Sequence, residues 1–65
     1  MSIEDLKVLR IRRKLKQKDI ASELGITTNS YTKKENGINP FTLKEVKILK
    51  EFLKITDNEI IKIFL

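Results

Sequence analysis

Apolar residues recur along this chain at intervals of three and four, which is the period of an amphipathic helix. The pattern falls into five segments that begin and end near capping and turn residues. It predicts helices over residues 3–14, 17–24, 28–35, 43–53 and 57–63. Alternating β-branched runs with hairpin turns do not occur in the sequence. The predicted fold class is therefore all-α.

The starts of the last three helices share a capping pattern. Thr42 is followed three residues later by Glu45, and Thr56 by Glu59, as in a capping box. Thr27 supplies a hydroxyl cap for the third helix. An apolar residue also precedes each of these caps, and a second apolar residue lies four positions after the cap, which is the spacing of a hydrophobic staple. The pairs are Ile26 and Tyr31, Phe41 and Val46, and Ile55 and Ile60.

The first two helices have different candidate starts. The first can be capped by Ser2, with Asp5 three residues on. The second begins near Lys16, where Asp19 lies in the first turn and suits the positive end of the helix dipole. We therefore expect all five helices to have defined starts.

Periodicity also predicts the core, which is formed by the apolar face of each helix. The predicted core residues are Ile3, Leu6, Leu9, Ile20, Ala21, Leu24, Tyr31, Leu43, Val46, Leu49, Phe52, Leu53, Ile55, Ile60 and Phe64.

Residues 17–36 have the sequence pattern of a helix-turn-helix. Two short helical patterns are separated by Leu24-Gly25-Ile26, and Gly25 can adopt the positive φ that a tight turn needs. The small residue Ala21 allows the two helices to cross closely. Asn36-Gly37 ends the second of them. This motif places its second helix in the major groove of DNA, so it connects the sequence to a function.

Length and composition limit the other possibilities. The 65 residues are enough for one domain, spanning 1–65. The sequence has no Cys and no His, so a disulfide framework is excluded and a zinc site is not expected. The absence of Cys fits a reducing cytoplasm, and no signal peptide or membrane-length apolar run is visible.

The charge is uneven as well as positive. The formal net charge is +5, and half of the 14 cations lie between Lys7 and Lys18 with no acid until Asp19. One interpretation is a solvated helix face followed by a lysine-rich loop. The other is a surface that attracts a polyanion. The position of the cluster immediately before the helix-turn-helix favours the second.

Taken in order, these motifs resemble the phage repressor and Cro-type family of helix-turn-helix regulators, also called XRE-type. The resemblance runs from about Leu6 to Leu65. The residues that carry it are Gln17, Ala21, Gly25, Glu35-Asn36-Gly37, Phe41-Thr42-Leu43 and Ile55-Thr56-Asp57-Asn58-Glu59-Ile60. The resemblance implies a five-helix lambda-repressor-like domain with its helix-turn-helix at helices 2 and 3.

The same resemblance, together with the helical spacing, implies a DNA-binding surface. The outward face of the third helix is expected to read bases, since Asn can pair with adenine and Lys with guanine. The expected base readers are Thr28, Asn29, Thr32 and Lys33. Residues around the two helix starts are expected to contact phosphates. These are Gln17, Lys14, Lys16, Lys18, Thr27, Asn36 and Thr42.

Two further positions are interpreted through the family. Arg10 matches a position that often pairs with the Glu closing the recognition helix, here Glu35, so we expect a structural ion pair. Lys34 departs from the family pattern, which usually has an apolar residue there. We expect Tyr31 to supply the missing bulk, with the Lys34 stem lying along its ring.

The end of the chain is unusually apolar. Ile60, Ile61, Ile63, Phe64 and Leu65 are too many for one face of a short helix, so some must be exposed in a monomer. They could form a frayed apolar tail. They could instead form a two-fold interface over residues 57–65, which would set two recognition helices about 34 Å apart on an inverted repeat.

The leading hypothesis is a sequence-specific transcriptional regulator, a Cro-like or phage-type repressor that binds an operator as a homodimer. The alternative is an antitoxin-like or regulator-sequestering interaction module with the same fold. Binding of a membrane surface by the first helix is disfavoured, because the core needs its apolar residues. An enzyme is not expected, since no catalytic constellation is visible. No cofactor, metal or small-molecule ligand is expected either.

Overall fold

The computed structural model describes residues 3–65, and these form five α-helices joined by short connections. The helices are α1 (Glu4–Arg12), α2 (Gln17–Leu24), α3 (Thr28–Glu35), α4 (Leu43–Phe52) and α5 (Asp57–Phe64). The prediction of an all-α, five-helix, lambda-repressor-like fold is therefore confirmed. The predicted cap at Ser2 lies outside the described residues.

The hydroxyl caps and capping boxes are confirmed. Thr27 Oγ1 accepts from Ser30 N–H at 3.1 Å, which begins α3. Thr42 Oγ1 accepts from Glu45 N–H at 3.1 Å, while the Glu45 carboxylate accepts from Thr42 N–H at 2.9 Å. Thr56 and Glu59 form the same reciprocal pair at the start of α5. These bonds satisfy backbone groups that a helix start leaves without partners.

Four helix ends are closed by a residue in the left-handed conformation. Gly25 and Gly37 have φ values of 72° and 79°, as their positions predicted. Lys14 and Lys54, which follow α1 and α4, have φ values of 57° and 54°, although a β-carbon makes this conformation unfavourable. After each of the four, the next backbone N–H bonds to a carbonyl one turn back, for example Leu15 N–H to Arg10 at 3.2 Å. The sequence prediction missed both lysines and so ended α1 two residues too late and α4 one residue too late.

One contiguous cluster of buried side chains forms the core. Its buried members are Leu6, Leu9, Ile20, Ala21, Tyr31, Leu49, Leu53, Ile55 and Ile63. The prediction for Leu43 is wrong, because its residue is 74% exposed. The buried face of α4 runs through Glu45, Leu49 and Leu53, four residues apart, and Leu43 at the start of the helix points away from it.

Helix α2 packs mainly against α3 and α4, and α1 contacts α3 and α5. Helix α3 is therefore held between the first two helices and leaves one side open. Among the described helices, none is long and apolar enough to cross a membrane.

Candidate nucleic-acid interface

Helix α3 has an inner and an outer side that are chemically distinct. Tyr31 and Glu35, four residues apart, are its buried residues. Thr28, Asn29 and Lys33 are exposed on the outer side. The helix therefore presents two neutral hydrogen-bonding side chains and one cation to solvent. This combination suits the donor and acceptor groups of base edges.

A buried ion pair fixes the inner side of α3 to α1. Arg10 Nε donates to Glu35 Oε2 at 2.9 Å, and Arg10 Nη2 donates to Glu35 Oε1 at 3.1 Å. The Arg10 and Glu35 residues are 8% and 3% exposed. Arg10 Nη1 also donates to the Leu15 carbonyl at 2.8 Å, so the same guanidinium holds the α1–α2 connection. This two-point geometry restricts both the distance and the orientation between the helices.

Glu35 accepts from more than Arg10. Tyr31 Oη donates to Glu35 Oε2 at 2.7 Å, and Gln17 Nε2 donates to Glu35 Oε1 at 3.0 Å. The sequence prediction gave Tyr31 packing roles only, although its spacing of four from Glu35 on one helix face is the signal for this hydrogen bond. Among the described residues, no buried side-chain polar atom lacks a hydrogen-bond partner.

The network shifts the pKa values of its members. Burial acts to raise the pKa of Glu35, but hydrogen bonds from Arg10, Tyr31 and Gln17 outweigh it and hold that pKa below its usual value. The hydrogen bond to Glu35 raises the pKa of Arg10 despite burial. Burial, followed by the bond to Glu35, raises the pKa of Tyr31. The pair therefore stays charged, and Tyr31 stays protonated, at neutral pH.

Gln17 lies at the junction between this network and the outer side of α3. It is the first residue of α2 and is half-buried. Its Oε1 accepts from Thr32 Oγ1 at 2.7 Å, while its Nε2 donates to Glu35. Thr32 is also half-buried, unlike Thr28 and Asn29. Gln17, expected to contact a phosphate, is therefore hydrogen-bonded to Thr32, which was expected to read a base.

The other expected phosphate-binding residues lie at the surface. Lys14, Lys16, Lys18, Asn36, Thr27 and Thr42 are all exposed. In both Thr27 and Thr42 the hydroxyl oxygen accepts from a backbone N–H, so the hydroxyl hydrogen remains available as a donor. These side chains can therefore donate to a phosphate without disrupting their helix caps.

Lys34 has a different environment from the expected one. Its Nζ donates to Glu45 Oε1 and Oε2 at 2.5 and 2.7 Å, and it lies 6.0 Å from the centroid of the Phe41 ring. The ammonium of Lys34 therefore lies over the Phe41 ring, and the expectation that the Lys34 stem lies along Tyr31 stays a prediction. The ion pair connects α3 to the capping box of α4.

The apolar end of the chain is divided between core and surface. Ile63 is buried, and Ile60 and Phe64 pack partly against the core. Phe64 meets Phe41 edge-on, with ring centroids 5.5 Å apart. Ile61 and Leu65 are 53% and 82% exposed. Of the five residues expected at a dimer interface, these two are the ones most accessible to a partner.

The fold and the outer side of α3 define a class of small helical domains that present one helix of a helix-turn-helix. The model of a family described as helix-turn-helix matches residues 6–60. The chain belongs to this family, in its XRE-type branch, and is a DNA-binding transcriptional regulator. Neither a curated protein nor a solved structure gives a significant match.

Proposed function

We propose that this regulator is a Cro-like, phage-type repressor that binds an inverted-repeat operator as a homodimer in the cytoplasm. The observation that carries the proposal is the outer side of α3, which is polar and exposed while its inner side is fixed by the Arg10–Glu35 pair. A reading helix held rigidly keeps its side chains in register with the base pairs.

Three exposed side chains of α3 are the proposed base readers. Asn29 offers an amide that can donate to and accept from adenine, and Lys33 offers donors for the O6 and N7 atoms of guanine. Thr28, one turn before Thr32, offers a methyl for thymine or a hydroxyl for a base edge. Each of the three is exposed and free of the Glu35 network.

The proposed phosphate contacts surround this helix. Gln17 begins α2 beside Thr32, and Lys14, Lys16 and Lys18 flank it. On the other side, Asn36 follows α3 and Thr42 caps α4. Each Lys that neutralises a phosphate should steepen the log–log salt dependence of binding by about one unit.

The proposed dimer forms through the outer side of α5. Ile61 and Leu65 are four residues apart, so they lie on one face of the helix or its continuation, and both are exposed. The patch is small, which supports a dimer that is weak in solution and forms on DNA. The two-fold arrangement would place the two copies of α3 about one helical turn of DNA apart.

The test is selection of bound DNA from a random pool, followed by binding measurements at fixed salt. The expected result is an inverted repeat with fixed spacing, bound by two copies of the chain in sedimentation. Asn29→Ala and Lys33→Ala should each relax the preference at one position by about tenfold or more. Glu23→Gln on the exposed side of α2 serves as a control and should leave the preference unchanged.

Three outcomes would contradict the proposal. Binding without sequence preference that disappears at moderate salt would indicate a non-specific DNA binder. A chain that stays monomeric on its selected site would exclude the dimer. If no DNA is retained and a protein partner occupies Ile61 and Leu65, the antitoxin-like or sequestering alternative would replace the operator-binding function.

A further inference from the structure

We propose that Thr32 is a positioning residue for the DNA-backbone contact rather than a base reader. Its hydroxyl holds the Gln17 side chain in the orientation from which Gln17 donates to a phosphate. The inference rests on the proposed function, because Gln17 meets a phosphate only when the protein binds DNA. It assigns Thr32 to the class of residues that act through a neighbour.

The orientation of the Gln17 amide follows from the chemistry of its partners. Glu35 is a carboxylate at neutral pH, so it only accepts hydrogen bonds, and the Gln17 atom 3.0 Å from it must be the nitrogen. The amide oxygen then faces Thr32 Oγ1 at 2.7 Å. Since this oxygen only accepts, Thr32 must be the donor. Glu35 therefore sets the direction of the amide, and Thr32 holds its other end.

This bond uses the single hydrogen of the Thr32 hydroxyl. A Thr within a helix usually donates to the carbonyl four residues earlier, and Thr28 O is at 3.0 Å. The Gln17 oxygen is closer, so the hydroxyl can leave its local partner for the side chain of another helix. A Thr32 hydroxyl engaged in this way has no hydrogen left to donate to a base.

The remaining amide hydrogen of Gln17 is the functional one. Among the hydrogen bonds of the described residues, Glu35 is the acceptor of one Gln17 amide hydrogen, and the second has no protein acceptor. Gln17 is also the first residue of α2, so a phosphate that accepts this hydrogen meets the positive end of the helix dipole. Without Thr32, rotation about the last side-chain bonds of Gln17 would swing this donor away.

The test compares four forms of the full chain on the selected operator by fluorescence anisotropy. They are Thr32→Val, Thr32→Ser, Gln17→Ala and the Thr32→Val/Gln17→Ala double variant. We expect Thr32→Val to weaken binding by about threefold to tenfold, as for the loss of one hydrogen bond. The loss should be equal for all single-base variants of the operator, and the salt slope should stay unchanged because no charge is removed.

Two comparisons separate positioning from other roles. Thr32→Ser keeps the hydroxyl and should bind like the wild type. Thr32→Val should cause no further loss in the Gln17→Ala background, because the donor that it positions is already gone. A loss concentrated at one base pair, a loss additive with Gln17→Ala, or no loss at all would overturn the inference.

A second measurement does not depend on DNA. In the free protein, the side-chain amide protons of Gln17 should have chemical shifts that differ from those of solvent-exposed amides, both in the wild type and in Thr32→Ser. In Thr32→Val, these chemical shifts should move toward the values of solvent-exposed amides. Unchanged amide signals in a folded Thr32→Val variant would show that the hydroxyl does not hold Gln17. If the wild type selects no DNA, the proposed function fails while this measurement still decides the contact.

Discussion

At the scale of single residues, the most consequential feature is one carboxylate with four hydrogen bonds. Glu35 accepts two from Arg10, one from Tyr31 and one from Gln17. A buried charge is costly unless it is paired, so removing one partner costs more than the bond to that partner. Through this single residue, α1, α2 and α3 become mutually oriented.

We predict that Arg10→Met lowers the free energy of unfolding by about 3 kcal/mol, because it leaves Glu35 buried without its cation. Urea denaturation at neutral pH measures the change. Arg12→Met, on the exposed side of the same helix, should stay within about 0.5 kcal/mol of the wild type.

The double variant Arg10→Met/Glu35→Gln separates loss of the pair from loss of packing. It should be more stable than Arg10→Met, because no unpaired charge is left in the core. If Arg10→Met unfolds at the wild-type urea concentration and binds the selected operator normally, Arg10 has no part in holding α3.

At the scale of helices, four helix ends are closed by a residue in the left-handed conformation, which is a glycine at two ends and a lysine at the other two. Gly25 and Gly37 adopt the left-handed conformation at little cost, whereas Lys14 and Lys54 carry a β-carbon into it. Leu15 and Ile55, which follow the two lysines, then pack into or against the core. After α1 and α4, the direction of the chain is set by burial of that next residue.

We predict that Lys54→Gly raises the free energy of unfolding by about 1 kcal/mol, because glycine has no β-carbon to strain at this φ. Lys47→Gly, an exposed position inside α4, should lower it by about 1 kcal/mol through loss of helix propensity. Thermal and urea unfolding of both variants measure the sign of each change in the free energy of unfolding. Two changes of the same sign would show that Lys54 is not strained.

The contacts of Glu45 at the start of α4 should make the stability of the fold depend on pH. Burial acts to raise the pKa of Glu45, but hydrogen bonds from Lys34 and Thr42 outweigh it and lower that pKa from 4.5. A carboxyl with a lower pKa in the folded chain contributes stability that is fully present above the unfolded value. This contribution is lost as the pH falls through the folded value. Glu35 acts in the same direction.

We therefore predict that wild-type stability decreases from pH 6 to pH 3 and that Glu45→Gln shows a smaller decrease, because it removes one carboxyl group whose pKa is lowered in the folded chain. Urea denaturation at several pH values measures both. Lys44→Gln changes the net charge by the same magnitude but removes no carboxylate, so its decrease should match the wild type. If Glu45→Gln loses as much stability between pH 6 and pH 3 as the wild type does, Glu45 is not a source of the pH dependence.

At the scale of the whole molecule, the exposed surface carries two features with separate roles in the proposed function. In that function, the polar side of α3 would face DNA, and the apolar side of α5 would face a second copy. The Arg10–Glu35 pair stabilises the first, and burial of Ile63, together with the partial packing of Phe64 against the core, sets the direction of the second. Because these contacts belong to one core, the spacing of the two recognition helices would be fixed by the fold.

We predict that Ile61→Asn lowers affinity for the inverted repeat by about tenfold or more, with affinity for a single half-site unchanged. Ile11→Asn is the matched control, since Ile61 and Ile11 are 53% and 55% exposed on α5 and α1. Titration of both variants on full and half operators distinguishes them. Equal effects on the full operator would place the interface away from α5.

The sequence by itself determined the elements that depend on local chemistry. The capping boxes of Thr42 and Thr56, the left-handed glycines and the helical period are properties of neighbouring residues, and the structure has them as predicted. Family resemblance carried the reasoning further, to the identity of α3 as the recognition helix. The assignment of individual base and phosphate contacts stays a prediction.

Only the tertiary structure decided which residues a side chain meets across the core. It buried Ile63 and exposed Leu43, and it paired Lys34 with Glu45. It also bonded Gln17 to Thr32 and Glu35, 15 and 18 positions away. Such partners depend on how helices are rotated and packed against one another, and helical period does not fix that rotation to within one side chain.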